Sequence, residues 1–264
     1  MNASVERAPE GTVPEAWVRA EQADAVAYLT LNRAAKYNVL SAAMMEALRS
    51  TLQSVASDPS VHVIVLRAEG RAFSAGHDLT EMGAEAGQQE LRELFAACST
   101  LMLMIRSLPQ PVIASVQGVA TAAGCQLVAM CDLAVASTEA RFAVSGINLG
   151  LFCSTPAVAI SRNLLQKPAL EMLLTGDFIS AERARELGLV NRVVAPEHLD
   201  DEVGKLARSI AAKSPAAISA GKRLFYQQRE LSITEAYARA GEVMASNAVH
   251  EDARAGIAKF TRRG

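Results

Sequence analysis

The chain has 264 residues, half of them hydrophobic, enough to bury a large core in one domain or in one domain with an appendage. Its formal net charge of −2 creates no global field that would draw it to nucleic acid or to an anionic membrane surface. Apolar stretches such as 127–135 are interrupted, there by Asp132, and are far too short to span a bilayer.

No apolar h-region follows Met1, so no secretory signal is read, and the early acids Glu6 and Glu10 argue against a transit peptide. The four cysteines, Cys98, Cys125, Cys131 and Cys153, form no CxxC pair, and the four histidines are scattered. The expectation is a cytoplasmic protein with reduced, mostly buried thiols and no zinc site.

Residues 1–15 are polar, with Pro9, Gly11 and Pro14, and read as a loose lead-in. Residues 17–21 and 25–31 alternate apolar and polar around a turn at 22–24, the pattern of a β-hairpin. Ser41 is placed to cap an amphipathic helix that runs to about Ser57 and ends at Asp58-Pro59. Residues 61–67 (VHVIVLR) read as a strand, and 70–78 as a polar, turn-rich segment. Helical periodicity spans 88–107 and stops at Pro109 and Pro111. A short apolar strand, 112–116, leads into a run of small residues, 118–124, and a helix begins near Ala123. Residues 133–136 and 142–144 are further short strands. From Thr155 the pattern is mainly helical: Ser180 caps 181–187 with Gly188 at the C′ position, 190–194 is a last strand, and helices are expected over 196–212, 216–229, 233–247 and 251–260.

Two segments place small residues where a backbone must approach something closely. The first is Arg71-Ala72-Phe73-Ser74-Ala75-Gly76-His77-Asp78-Leu79, after a strand. The second is Gly118-Val119-Ala120-Thr121-Ala122-Ala123-Gly124-Cys125-Gln126, between a strand and a helix start, where amide N–H groups lack intrahelical partners. Two N–H donors from two such turns are what a thioester oxyanion requires. Taken without further information, tight helix–strand packing is the favoured explanation of the small residues.

Five stretches add a resemblance: LNRAAKYNVLS (31–41), VIVLRAEGRAFSAGHDL (63–79), PVIASVQGVATAAGCQLVAMCDLAVAS (111–137), LEMLLTGDFISAERARELGLVNRVV (170–194) and AKFTRR (258–263). In order and spacing they resemble the crotonase, or enoyl-CoA hydratase/isomerase, superfamily, and the combination of GHDL (76–79), TAAGCQLVA (121–129) and GLFCSTP (150–156) resembles in particular its enoyl-CoA hydratase domain-containing type. The resemblance implies an α/β crotonase fold, a spiral of ββα units forming two roughly perpendicular sheets. A core over 16–200 would be followed by a helical trimerisation region over 201–264, giving a homo-trimer or a hexamer of paired trimers. It implies an acyl-CoA ligand and no other cofactor. The oxyanion donors would be the backbone N–H groups of His77 and Ala123, with Ala75, Gly76, Asp78, Leu79 and Gly124 around the substrate. Arg33 and Lys36 would lie near its phosphates, and Phe260 and Arg263 near a neighbouring subunit's nucleotide.

The chain also departs from that pattern. Where hydratases of the family place two glutamates, this sequence has Gln126, after the Gly-Cys pair, and Gly146, four residues after Phe142. Gln126 can orient a water but cannot exchange a proton with it, and Gly146 has no side chain to act with. No catalytic residue is therefore assigned. Near the vacated second position lie Ser145, Asn148, able to orient a water, and Cys153, read as a buried, inert thiol ahead of one whose pKa is lowered by its place before a helix. Glu81 and Glu85 follow the first turn and read as solvated, Asp132 as structural, and the His77 imidazole as packed or solvated. The expected function is acyl-CoA processing without the two-glutamate hydration mechanism; the alternatives are a non-catalytic acyl-CoA binder and a scaffold subunit. The absence of GxSxG, GxGxxG and P-loop motifs disfavours a serine hydrolase or a nucleotide enzyme.

Overall fold

A computed structural model describes residues 16–83 and 85–262; the lead-in expected over 1–15 and the ligand contact expected of Arg263 lie outside the described residues. The hairpin forms as strands β1 (Val18–Ala23) and β2 (Val26–Leu31), paired antiparallel with Val18 opposite Leu31. Helix α1 (Ala42–Ala56) starts where its cap is written: the Ser41 side chain accepts from the Met44 amide at 3.2 Å.

Thereafter the chain repeats one unit. Strands β3 (Val63–Ala68) and β4 (Ala72–Ser74) precede α2 (Gln88–Ser107), β5 (Val112–Val116) and β6 (Val119–Thr121) precede α3 (Ala123–Met130), and β7 (Leu133–Ser137) and β8 (Arg141–Ala143) precede α4 (Ser154–Asn163). The first strand of each pair enters a six-stranded sheet, β1-β2-β3-β5-β7-β10, and the second a four-stranded sheet, β4-β6-β8-β9. All neighbours are parallel except β1/β2 and β8/β9. The remaining elements of this part are α5 (Gln166–Thr175), β9 (Ile179–Ser180), α6 (Ala181–Glu186) and β10 (Arg192–Val194).

Unbroken apolar runs in β3 and β5 follow from this topology, because both faces of a parallel sheet are covered. Ile64 and Leu66 of β3 enter the main core with residues of α1 and α2. Val63 and Val65, on the other face, pack with Ile113, Val135 and three residues of α7 (Leu199–Ala211), namely Leu199, Val203 and Ala207. The boundary expected after residue 200 thus falls inside a helix packed on the large sheet, and the core extends to α7. Beyond it lie α8 (Pro215–Gln228), tied to the core through Lys222 and Tyr226, and α9 (Ile233–Ala248) and α10 (Glu251–Thr261), with Ala236 the one buried hydrophobic residue among the three. Among the described residues no helix is long and apolar enough to cross a membrane.

Candidate functional site

The first small-residue turn leaves β4 and is tied to the loop before α1. The Leu40 amide donates to the Gly76 carbonyl at 2.7 Å, and the Ala75 amide to the Tyr37 carbonyl at 3.0 Å. Asn38 organises this junction from a left-handed backbone (φ +50). Its side chain, buried, donates to the carbonyls of Glu69 and Ala72, both at 2.9 Å, and accepts from the Arg33 amide at 2.8 Å. Its own carbonyl accepts the Ser74 hydroxyl at 2.8 Å.

The second turn leaves β6 through Ala122, which sits at φ +50, ψ −120, a region few side-chain-bearing residues adopt. Its amide is held by the Ala143 carbonyl at 3.0 Å. Helix α3 begins at the next residue, and its first intrahelical bond is from the Gln126 amide to the Ala122 carbonyl. The amides of His77 and Ala123 have no hydrogen-bond acceptor among the described residues.

Glycines show how closely the two turns meet. A methyl group placed on Gly76 would lie 2.9 Å from the Ala122 Cβ and 3.1 Å from the Ala123 nitrogen. One placed on Gly124 would lie 2.2 Å from the Ser74 carbonyl oxygen, so the start of α3 rests directly on β4. This is the physical requirement behind the small residues of both segments.

Both turns line one cavity of about 350 Å³, to which Ala75, His77, Leu79, Ala122 and Ala123 contribute. The rest of the lining comes from Met82, Phe95 of α2, and the segment after β8: Ser145, Gly146, Leu149 and residues 151–156. No carboxylate is among the described lining residues; the titratable groups are His77 and Cys153. The His77 ring meets Phe95 edge-on, centroids 5.4 Å apart. Neither ring nitrogen has a hydrogen-bond partner among the described residues, and Nε2 is fully shielded from solvent. Burial holds this imidazole below its ordinary pKa, which favours the neutral form.

Cys153 is buried. Its Sγ accepts the Gly146 amide at 3.3 Å, a contact that favours the thiolate, but burial outweighs it and pushes the thiol pKa up. A side chain begun at Gly146 would run into this Sγ and the Leu151 carbonyl oxygen, each 2.7 Å from the added carbon. Cys153 therefore takes up the space that a residue with a side chain at 146 would need.

Other expected participants lie elsewhere. Asn148 is not part of the lining; its carboxamide nitrogen faces Gly176, 2.9 Å from where a Cβ there would stand. Gln126 is 4% exposed, is absent from the cavity wall and has an Oε1 with no hydrogen-bond partner among the described residues. Asp78 folds back on Thr80, accepting its amide and hydroxyl at 2.9 and 2.7 Å, bonds that hold its carboxyl below the usual range. Glu81 caps α1 through the Ala42 amide at 2.9 Å, and Glu85 is exposed. The Arg33 guanidinium stacks 4.4 Å over Trp17, and Phe260 is 83% exposed on α10. Among the described residues, no group of three or more His, Cys, Asp or Glu side chains is placed to hold a metal ion.

The sequence reading missed two features. One is Asn38, whose only signal was its place in the LNRAAKYN segment. The other is a buried cluster in which the Asp132 carboxylate accepts from Lys222 Nζ at 2.6 Å, the Tyr226 hydroxyl at 2.8 Å and the Val112 amide at 2.7 Å.

Comparison with known proteins gives a consistent picture. A family model described as enoyl-CoA hydratase/isomerase matches residues 21–264. The chain is 46% identical over 243 residues to the mitochondrial enoyl-CoA hydratase domain-containing protein 3 of Danio rerio, covering 92% of this chain and 84% of that one. Among solved structures, an enoyl-CoA hydratase of Mycobacterium smegmatis is 54% identical with a TM-score of 0.93, covering 94% of this chain and 97% of that one. Human enoyl-CoA hydratase domain-containing protein 3 is 44% identical with a TM-score of 0.91, covering 94% and 98%.

Proposed function

The chain belongs to the enoyl-CoA hydratase/isomerase family, and on that premise we propose that it binds an acyl-CoA thioester with the carbonyl oxygen between the amides of His77 and Ala123. The observation that carries this reading is the pair of unbonded amides on two abutting turns in the wall of one cavity. Preorganised N–H donors of this kind stabilise an oxyanion at no cost in reorganisation. Ala75, Gly76 and Gly124 give the turns their shape, and Leu79 offers apolar surface to the acyl chain. Asp78 acts by bracing its turn, and Arg33, Phe260 and Arg263 serve the coenzyme.

Water addition is not the activity of this cavity. Adding water to a conjugated thioester takes a base and an acid, each worth about 10²–10⁴-fold. At the two positions that carry glutamates in the family pattern the chain has Gln126, outside the lining, and Gly146. Titration calorimetry with hexanoyl-CoA should register binding, while crotonyl-CoA should be hydrated far below the 1–10³ s⁻¹ common among enzymes. Absence of binding removes the reading, and turnover in that range removes its second half.

Self-association into a trimer or hexamer fits the exposed apolar side chains of α9 and α10, with Ile233, Tyr237, Met244 and Phe260 between 74% and 83% exposed. A monomeric mass in solution would rule this out. As for compartment, the relatives named as mitochondrial widen the cytoplasmic expectation to any thiol-reducing compartment. Four buried, unpaired cysteines are at home in either.

A further inference from the structure

The cavity contains one group able to carry a proton at neutral pH, and nothing so far has given it a task. The His77 imidazole lines the same space as the two free amides, and neither of its nitrogens has a partner among the described residues. A buried polar atom left unpaired costs about 1–3 kcal/mol, so such an atom in a ligand-sized cavity is best explained by a partner that arrives with the ligand. Asn and Ser side chains satisfy the surrounding polar groups elsewhere in the same junction, yet the imidazole is left out of that network.

We propose that His77 is a catalytic residue that moves a proton at the carbon α to the thioester carbonyl, so that the chain acts on acyl-CoA thioesters by enolisation. The assignment rests on the carbonyl position proposed above. A ring nitrogen of neutral His77 takes the α proton as the α C–H bond breaks. The electron pair moves into the bond to the carbonyl carbon and the negative charge onto the oxygen, held by the amides of His77 and Ala123. When the imidazolium trades that proton for one from solvent before the α carbon is reprotonated, the result is exchange with solvent. In a 3-enoyl thioester, return at the γ carbon moves the double bond into conjugation. Atoms and electrons balance in both cases, and one proton carrier suffices, whereas hydration needs two.

Few groups compete for the assignment. Phe95 faces the ring from α2, and the other titratable group in the lining is Cys153 at the start of α4, whose thiol is pushed up by burial. Within the same segment Asp78 is engaged by Thr80, with Lys36 adding a further cationic influence on it, and Glu81 by the Ala42 amide. Burial alone lowers the His77 pKa, with no charged contributor. The active, neutral base therefore persists to more acidic pH than a free imidazole at about 6.5, and activity falls only below that.

The test is loss of the α-CH₂ proton signal of hexanoyl-CoA in D₂O, with calorimetric binding measured on the same samples. The wild-type chain should exchange above the protein-free rate, His77→Gln should exchange at least about 10²-fold more slowly, and Cys153→Ala should still exchange. The wild-type pH profile should lose activity on the acid side, below about 6.5. This profile stands as the check if His77→Gln fails to fold. Binding without exchange overturns the inference and leaves the binding reading intact; no binding overturns both. Exchange abolished by Cys153→Ala but kept by His77→Gln, or a flat pH profile, makes another group the base and rejects His77.

Discussion

Two buried polar regions of this molecule are built on opposite terms. In the Asp132 cluster every strong group is answered: Lys222 Nζ, its side chain 7% exposed, meets the carboxylate and the carbonyls of Ile105 and Gln110, and Tyr226 closes the carboxylate's other oxygen. In the cavity, two amides and an imidazole are answered by nothing among the described residues. A charge pair can be buried only when its hydrogen bonds are completed, and there the completion docks α8 onto the sheet. Unanswered donors that line a ligand-sized cavity are the ones a ligand can complete. The difference separates a joint from a site without reference to any relative.

Breaking the joint should have the largest effect. Lys222→Met leaves the Asp132 carboxylate buried with only the Tyr226 hydroxyl and the Val112 amide. Removing one partner of a buried pair costs about 3–5 kcal/mol, which denaturant unfolding would resolve. A loss below about 1 kcal/mol, the range of exposed pairs, would mean that the cluster does not hold α8 in place.

Filling the site should act in the opposite sense. Hexanoyl-CoA at a hundred times its dissociation constant should stabilise the chain by about 2.7 kcal/mol, read as a rise in Tm. The Lys222→Met chain should show the same ligand-induced increment if joint and site are energetically separate. A much smaller increment would show that α8 supports the cavity.

How far all this could be read from residues alone depends on the length of the signal. The 88–107 helix, the Ser41 cap and the apolar run of β3 were legible because periodicity, capping chemistry and two-sided burial each write several residues. Strands β4 and β6, three residues each, are too short for a period, so the sheet that carries both turns was not legible as a sheet. Asp132 read as structural, but its partners sit 90 and 94 residues away, at i and i+4 of α8. Proximity in sequence misled at Asn148, which neighbours Gly146 but faces Gly176. At Cys153 desolvation outweighs the helix start, which agrees with the reading of a buried, inert thiol over that of a thiol with a lowered pKa.

That last point has a measurable form. Gly146→Glu should not restore hydration of crotonyl-CoA, and it should destabilise the chain by about 1–3 kcal/mol, the usual cost of overpacking. Cys153→Ala removes one of the two atoms in the way, so in the same chain it should recover part of the loss. A coupling of about 0.5 kcal/mol or more between the two positions is expected. Strict additivity would mean that the thiol is not what occupies the space.

The smallest effect distinguishes the strain in the site from its unpaired groups. Ala122 bears a side chain at φ +50, ψ −120, immediately before the Ala123 amide, and its methyl abuts Gly76. Strain of this kind costs of order 1–3 kcal/mol. Ala122→Gly relieves it, but the added freedom of the unfolded chain takes back about 0.4–1 kcal/mol. The net expectation is a stabilisation of about 1 kcal/mol, with weaker hexanoyl-CoA binding because the turn that aims the Ala123 amide is no longer fixed. A variant that is more stable and binds as well as before would show that the strained backbone is incidental to the site. One that is more stable and binds worse would show that conformational stability is given up to hold the donor in place.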